Sequence, residues 1–255
     1  MSGFGTLLRK ELLEQWRTTR LPLVAIIFLL VGLSSPLLAR FTPELLRAIA
    51  GDQFTIALPT PDAAAAYDQL AKNLAQFGAL IGILLAMGSV ATEKERGTAA
   101  LVLVKPVGRG AFLVAKLGAI AITLAVSTAI AGAGAWFYTF VLFEPLPIIG
   151  FAAAMGLQWL AMVAFAAITF LGSTLTRSAL AAAGLGLAAL IVLGILGIVP
   201  TLGAYLPTGL GTPARALALG LAQSGPGIAG PMIATAGLIA VLLGLSWLAF
   251  RRQET

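Results

Sequence analysis

The sequence predicts an all-α membrane protein that crosses the bilayer six times. Two observations indicate this. Of its 255 residues, 59% are hydrophobic and only 10% are charged, whereas a soluble globular domain has about 25% charged residues. Six apolar stretches also approach or exceed the roughly 20 residues that a helix needs to cross a bilayer core of about 30 Å. We therefore interpret residues 1–255 as a single transmembrane domain.

Residue types that are missing exclude several kinds of chemistry. The chain has no Cys and no His, which removes disulfides, thiol catalysis, imidazole catalysis and zinc fingers. The net charge of +6 is typical of basic cytoplasmic loops in a membrane protein. We therefore expect no nucleic-acid partner.

The first element is an amphipathic helix within residues 1–20. Apolar side chains recur at helical spacing, while most of the charged ones lie off that stripe. Such a helix lies flat in the membrane interface, either as an anchor alone or also in contact with a cytosolic partner. Charges of both signs, and no small-residue cleavage site after the next apolar run, favour an uncleaved first span over a signal peptide. The stripe consists of Phe4, Leu7, Leu8, Leu12 and Trp16.

The six predicted spans alternate with loops whose charge gives the orientation. Lys and Arg number twelve on the side that holds both termini and four on the other side. This bias predicts that both termini are cytoplasmic. We therefore expect a multi-pass protein of a bacterial or archaeal inner membrane. The predicted spans are 21–39, 74–91, 111–143, 148–174, 179–199 and 226–250.

Two outer regions carry further structure. The loop 40–73 contains two helix-start patterns, one with Thr42 as the cap and one at Thr60-Pro61-Asp62. Residues 200–227 are rich in Gly and Pro yet apolar, which predicts a re-entrant region before the sixth span, with a short helix near 213–222. This region is either a lid over a pathway or a packed cap.

Small residues within the spans predict close helix packing. Gly78 and Gly82 form a GxxxG pair in the second span. Glycines at this spacing let two helices approach closely. We therefore interpret the pair as a packing feature of the bundle.

The predicted spans contain no charged residue in their interiors, and this argues against several functional classes. Ion-coupled transporters and proton pumps need such a group at membrane depth, and selective channels often use rings of charge. An intramembrane hydrolase would lack a base for its nucleophile. None of the five lysines follows Gly or precedes Ser or Thr, so a phosphate-binding loop is absent. The chain is not an enzyme by this reasoning, and energy must come from another subunit.

The loop 92–110 is the one inner loop long and charged enough for that contact. Residues 91–116 hold seven of the 26 charged residues. Gly97 can end a polar turn, and Thr98 can cap a short apolar helix that stops before Pro106. The result is a surface helix with charges at both ends. It either docks into a groove on a cytosolic protein or is a solvated loop held by lipid headgroups.

This loop resembles a signature of permease subunits in the type-2 exporter class of ABC transporters. The pattern is E-x-E-x-G-T, then a short stretch to P-x-x-R, then a Lys seven residues after the Arg. Gly108 stands where the family usually has Ser, a small departure. The order of elements along nearly the whole chain is also similar. The candidate ATPase-coupling residues are Glu93, Glu95, Arg96, Gly97, Thr98, Leu101, Pro106, Arg109 and Lys116.

The resemblance implies a dimer of permeases, here expected to be a homodimer, with two cytosolic ABC ATPase subunits. The loop would be the coupling helix seated in the ATPase. ATP and Mg²⁺ would bind to the ATPase, and no cofactor or metal is expected in this chain. Permeases of nitrous-oxide-reductase maturation and of bacteriocin or antibiotic export are candidate relatives. The missing His and Cys argue against passage of a bare copper ion.

Three functions remain open at this point. The first is an ATP-driven exporter, and its apolar, uncharged path suits amphipathic, lipid-like or peptidic cargo. The second is a mechanotransmitter or scaffold that acts on an extracytoplasmic partner while nothing crosses. The third is a channel, which would conduct without an ATPase.

Overall fold

The computed structural model describes residues 3–50, 60–97, 108–222 and 227–252, and all of the regular structure in these ranges is helical. Six helices in this part of the chain are long and apolar enough to cross a membrane. The predicted fold class is therefore confirmed. The candidate membrane-spanning stretches of these helices are Arg20–Leu45, Ala63–Glu95, Arg109–Leu142, Ile148–Leu175, Ala179–Leu196 and Ala229–Arg252.

The first two helices are α1, Gly3–Arg17, and α2, Arg20–Ala50. The predicted helix start at Thr42 is wrong, because α2 continues through Pro36 and Pro43. The hydroxyl of Thr42 donates to the carbonyl of Leu38 at 2.5 Å, inside the helix. Helices in membranes tolerate proline because nearby groups satisfy the carbonyl that loses its partner.

The second span is built from consecutive pieces. They are α3 (Ala63–Asn73), a π-helical turn (Leu74–Gly78), α4 (Ala79–Met87) and α5 (Ala91–Glu95). Asp62 caps α3 by accepting from the backbone N–H of Ala65 at 2.7 Å, so the cap lies two residues after the predicted Thr60.

The remaining spans are α6 (Arg109–Leu142), α7 (Ile148–Leu175), α8 (Ala179–Leu196) and α11 (Ala229–Arg252). Helix α7 lies at the centre and packs against α4, α6, α8 and α11. Six consecutive residues of α7, 162–167, are buried, so this part of the helix has no exposed face. The bundle is organised around it.

Glycines permit the closest helix contacts, as the sequence predicts. A Cβ added to Gly78 would overlap the side chain of Met162, and one at Gly82 would lie 3.1 Å from the carbonyl oxygen of Met162. The GxxxG pair therefore packs α4 and its π-helical turn against α7. A Cβ at Gly32 would overlap the carbonyl oxygen of Ala131, where α2 crosses α6.

We expect Gly32→Val to destabilise the bundle, because the new side chain would force α2 away from the backbone of α6. Overpacking of this kind costs about 1–3 kcal/mol. Gly184→Val on α8 is the matched control, since nothing lies within 4 Å of its added Cβ. The measurement is the temperature at which each purified variant loses its monodisperse peak in detergent. Equal temperatures for the two variants would contradict the close crossing of α2 and α6.

The region between the last two spans forms short helices. They are α9 (Pro200–Gly203), a 3₁₀ turn (Pro207–Leu210) and α10 (Gly211–Ala218). Helix α10 packs on α7. Arg215 of α10 forms a two-bond ion pair with Asp68 of α3, at 2.7 and 3.1 Å. The region is therefore attached to two spans, and its helix ends earlier than the predicted 213–222.

Candidate functional site

The candidate site lies at the end of the bundle that holds α1, α5, the start of α6, and the last turns of α7 and α11. We refer to this as the α1 end. The sequence predicts a short surface helix here, beginning at Thr98 and ending before Pro106. Thr98, Leu101 and Pro106 lie outside the described residues, whereas both flanks of that segment, up to Gly97 and from Gly108, are described.

A buried ion cluster connects the two flanks. The ammonium of Lys116 lies 2.7 Å from Oε1 of Glu93 and 3.0 Å from Oε2 of Glu11. The side chain of Lys116 is only 4% exposed. We call Glu11, Glu93 and Lys116 the Lys116 cluster. Because charges removed from water are stable only with close partners, the cluster holds α1, α5 and α6 together.

Lys10 extends this cluster toward solvent. Its ammonium lies 3.0 Å from Glu11 and 3.2 Å from Glu14. Partial burial acts to lower the pKa of Lys10, but hydrogen bonds and charge attraction from the two carboxylates outweigh it and raise the pKa above its usual value. Lys10 therefore stays charged and shares Glu11 with Lys116.

The start of α5 is capped by a side chain from another span. The hydroxyl of Ser173, on α7, accepts from the backbone N–H groups of Val90 at 3.1 Å and Ala91 at 2.9 Å. The first N–H groups of a helix have no partner within the helix. Ser173 satisfies two of them where water does not reach, and so fixes α5 on α7.

Lys94 connects α5 to two further spans. Its ammonium donates to the carbonyl of Thr174 on α7 and lies over the ring of Phe250, 5.6 Å from the centroid. Phe250 in turn stacks on Phe112 of α6, with ring centroids 5.8 Å apart. A cation over an aromatic face is attracted by the ring quadrupole. The short helix α5 is thus attached to α7 and α11.

The second flank is attached in a similar way. Arg109, at the first position of α6, donates from Nη1 to the backbone carbonyl of Arg251 at 3.0 Å. The last carbonyls of a helix lack partners within the helix and attract cations. Arg109 therefore binds the C-terminal end of α11 and fixes the start of α6 there.

Helix α1 packs through buried polar side chains as well as through part of its apolar stripe, since Leu7 packs against the core. Glu11 and Gln15 are buried, and Gln15 accepts a hydrogen bond from the hydroxyl of Thr123 on α6. Phe4 and Trp16 of the predicted stripe are 39% and 61% exposed. The exposed apolar side chains are free to contact lipid, while the polar ones hold α1 on α6.

The structure therefore separates the predicted coupling residues. Glu93, Arg109 and Lys116 contact other helices of the chain, whereas Glu95 and Arg96 are exposed. Gly97 has a φ of +69°, a conformation that favours glycine and ends α5. Among the predicted coupling residues that the structure describes, Glu95 and Arg96 are therefore charged side chains accessible to a partner.

Sequence reasoning missed Glu11, Gln15 and Ser173. For Glu11 there was a usable signal, because an isolated Lys in the second turn of a long apolar helix requires a carboxylate partner. Ser173 gave no such signal, since a serine near the end of a span is common and only the packing of α7 on α5 brings it to the free N–H groups.

We expect Ser173→Ala to lower the stability of the α1 end by about 1–3 kcal/mol, because two buried N–H groups lose their acceptor. Ser34→Ala is the matched control, since the hydroxyl of Ser34 donates to the carbonyl of Val31 within its own helix. Hydrogen exchange measured by mass spectrometry on peptides covering residues 88–97 should rise only in Ser173→Ala. Unchanged exchange would exclude the capping role.

Comparison with known proteins gives two matches. The family model described as ABC-2 family transporter protein matches residues 6–255. An uncharacterized transmembrane protein of Bacillus subtilis (strain 168), YxlG, is 34% identical over 200 residues, which cover 75% of this chain and 76% of the relative.

Proposed function

Because this chain belongs to the ABC-2 family of transporter proteins and is a membrane permease component of an ABC transporter, we propose that it exports cargo when a separate ABC ATPase hydrolyses ATP. The α1 end faces the cytoplasm and contacts the ATPase. The excess of Lys and Arg on that side supports this orientation.

The observation that carries the proposal is the attachment of both flanks of residues 98–107 to the bundle. On one flank, Glu93 contacts α6, and Lys94 contacts α7 and α11. On the other, Arg109 contacts α11 and Lys116 contacts α1. A solvated loop needs no such attachments, whereas a segment that transmits force needs them on both sides.

The transmission follows from these contacts. The ATPase seats the 98–107 segment and touches the exposed Glu95. When ATP binding moves the ATPase, the displacement passes through the Lys116 cluster to α1 and α6, and through Ser173 and Lys94 to α7. Because α7 packs against four other spans, a shift of its end changes the packing of most of the bundle. Packed interfaces of this kind have discrete arrangements rather than continuous ones.

The assembly comprises two permease copies and two ATPase subunits. Helices α8 and α11 expose large apolar side chains along much of their length, including Ile191, Ile195, Val241 and Leu245. Such faces contact lipid or a second copy. Two identical permeases would give each ATPase one 98–107 segment.

The proposal is tested by mapping which side of the membrane the charged segment occupies. The chain has no Cys, so Glu95→Cys and Glu144→Cys each introduce one reactive thiol, at the α1 end and the opposite end. In intact cells we expect a membrane-impermeant maleimide to label the Glu144→Cys variant alone. After membrane isolation, a photoactivatable maleimide on the Glu95→Cys variant should cross-link to the cognate ATPase. Labelling of Glu95→Cys in intact cells would overturn the proposal.

A further inference from the structure

A polar cavity of about 340 Å³ opens at the α1 end, between α1, α4, α5 and α6. Pockets of about 300 Å³ and above are of a size that binds small molecules. Seven charged side chains line it, four basic and three acidic. The proposed coupling mechanism uses the Lys116 cluster on one wall and leaves the rest of this cavity without a role.

The charges in the cavity are not evenly matched. All three carboxylates are engaged by lysines: Glu11 and Glu93 bind Lys116, and Glu11 and Glu14 bind Lys10. The remaining basic residues are Arg20 and Arg96. Neither guanidinium lies within 4 Å of a carboxylate of the described residues. In that part of the chain, the cavity therefore presents two arginines without a paired carboxylate.

Two arginines facing one cavity favour a phosphate. The guanidinium is a planar fork of donors that matches phosphate oxygens in pairs, which the ammonium of lysine does not do. The cavity wall also has an apolar part, formed by Leu85 and Ile120. A ligand with a phosphate and an adjoining apolar portion would contact both parts.

The position of the cavity favours a lipid as the source of that phosphate. Helix α1, which forms one wall, exposes Phe4, Leu13 and Trp16, and a helix with such an apolar face lies at the level of the lipid headgroups. Arg20, at the start of the first span, lies at the same level. The cavity therefore opens where headgroups are, next to the helix that the Lys116 cluster holds in place.

We propose that this cavity binds the phosphodiester headgroup of an anionic phospholipid through Arg20 and Arg96, and that the bound lipid stabilises α1 against the bundle. This site lies beyond the proposed transport function. It requires only the permease, so it is tested without the ATPase and without knowledge of the cargo.

The experiment measures lipid retention by native mass spectrometry and the unfolding temperature of the purified permease in detergent. The probes are phosphatidylglycerol, phosphatidylcholine, and sodium phosphate at matched ionic strength. For wild type, we expect phosphatidylglycerol alone to be retained and to raise the unfolding temperature. For Arg20→Gln with Arg96→Gln, we expect affinity for phosphatidylglycerol to fall about tenfold, because charge-assisted bonds are lost.

The matched control is Arg9→Gln with Arg17→Gln, which removes the same charge from exposed arginines of α1 that do not line the cavity. This control should retain phosphatidylglycerol as wild type does. Arg20→Lys with Arg96→Lys keeps the positive charge but removes the paired donors of the guanidinium, and we expect intermediate retention of phosphatidylglycerol. This variant replaces the Gln variant in the comparison if the Gln variant does not purify. Three outcomes would each overturn the proposal. They are equal retention of both phospholipids by wild type, an equal loss of phosphatidylglycerol affinity in the control variant, and a thermal shift with sodium phosphate as large as that with phosphatidylglycerol.

Discussion

Lys116→Met should be among the most destabilising single substitutions in this chain. Within the described residues, Lys116 is the cation that lies between Glu11 and Glu93. The change removes this close partner from both carboxylates and leaves Glu11 with Lys10. Breaking a buried ion pair by removing one partner costs about 3–5 kcal/mol. We expect the variant to show a sharply lower unfolding temperature in detergent and poor recovery from membranes.

Graded variants separate this effect from a general loss of charge. Glu93→Gln and Glu11→Gln should each lower the free energy of unfolding by less than Lys116→Met does, because one carboxylate still pairs with the lysine. The double variant Lys116→Met with Glu93→Gln should lose less unfolding free energy than the sum of the losses in the two single variants, as expected for residues in one network. The control is Lys72→Met, an exposed lysine of α3. If the Lys116→Met and Lys72→Met variants unfold at the same temperature, the Lys116 cluster does not stabilise the bundle.

Glu95→Arg should abolish the stimulation of ATP hydrolysis by the permease while the permease remains folded. Glu95 is exposed, and exposed substitutions usually change stability by less than about 0.5 kcal/mol. At a partner surface, however, reversed charge places like charges together, which costs several kcal/mol. Because about 1.4 kcal/mol corresponds to a factor of ten, we expect at least about a tenfold loss. The measurement is ATPase activity of the assembled complex in proteoliposomes.

Two comparisons make this result specific. Glu44→Arg reverses an exposed charge near the end of α2 away from α1 and should leave the stimulated activity unchanged. Glu93→Arg should lose activity together with stability, because Glu93 pairs with Lys116 inside the bundle. Normal stimulation by the Glu95→Arg complex, with normal assembly, would remove residues 91–97 from the ATPase contact.

The sequence by itself determined the membrane class, the number of spans and the segment in which charge is concentrated. These features depend on composition and on the length of apolar runs, because a bilayer core requires about 20 apolar residues whatever surrounds them. The close packing at Gly78 and Gly82 was also predictable, since small residues at that spacing can serve few other purposes in a span.

Only the tertiary structure decided which way the charged residues face. Spacing gives the face of a helix on which a side chain lies, but not which other helix covers that face. Glu93 and Glu95 are two residues apart, yet one is paired with Lys116 and the other is exposed. The polar side of α1 packs on α6 because Lys116 and Thr123 offer partners there. Ser173 caps α5 only because α7 brings it within reach. Such partners come from distant parts of the chain, and packing of the whole bundle selects them.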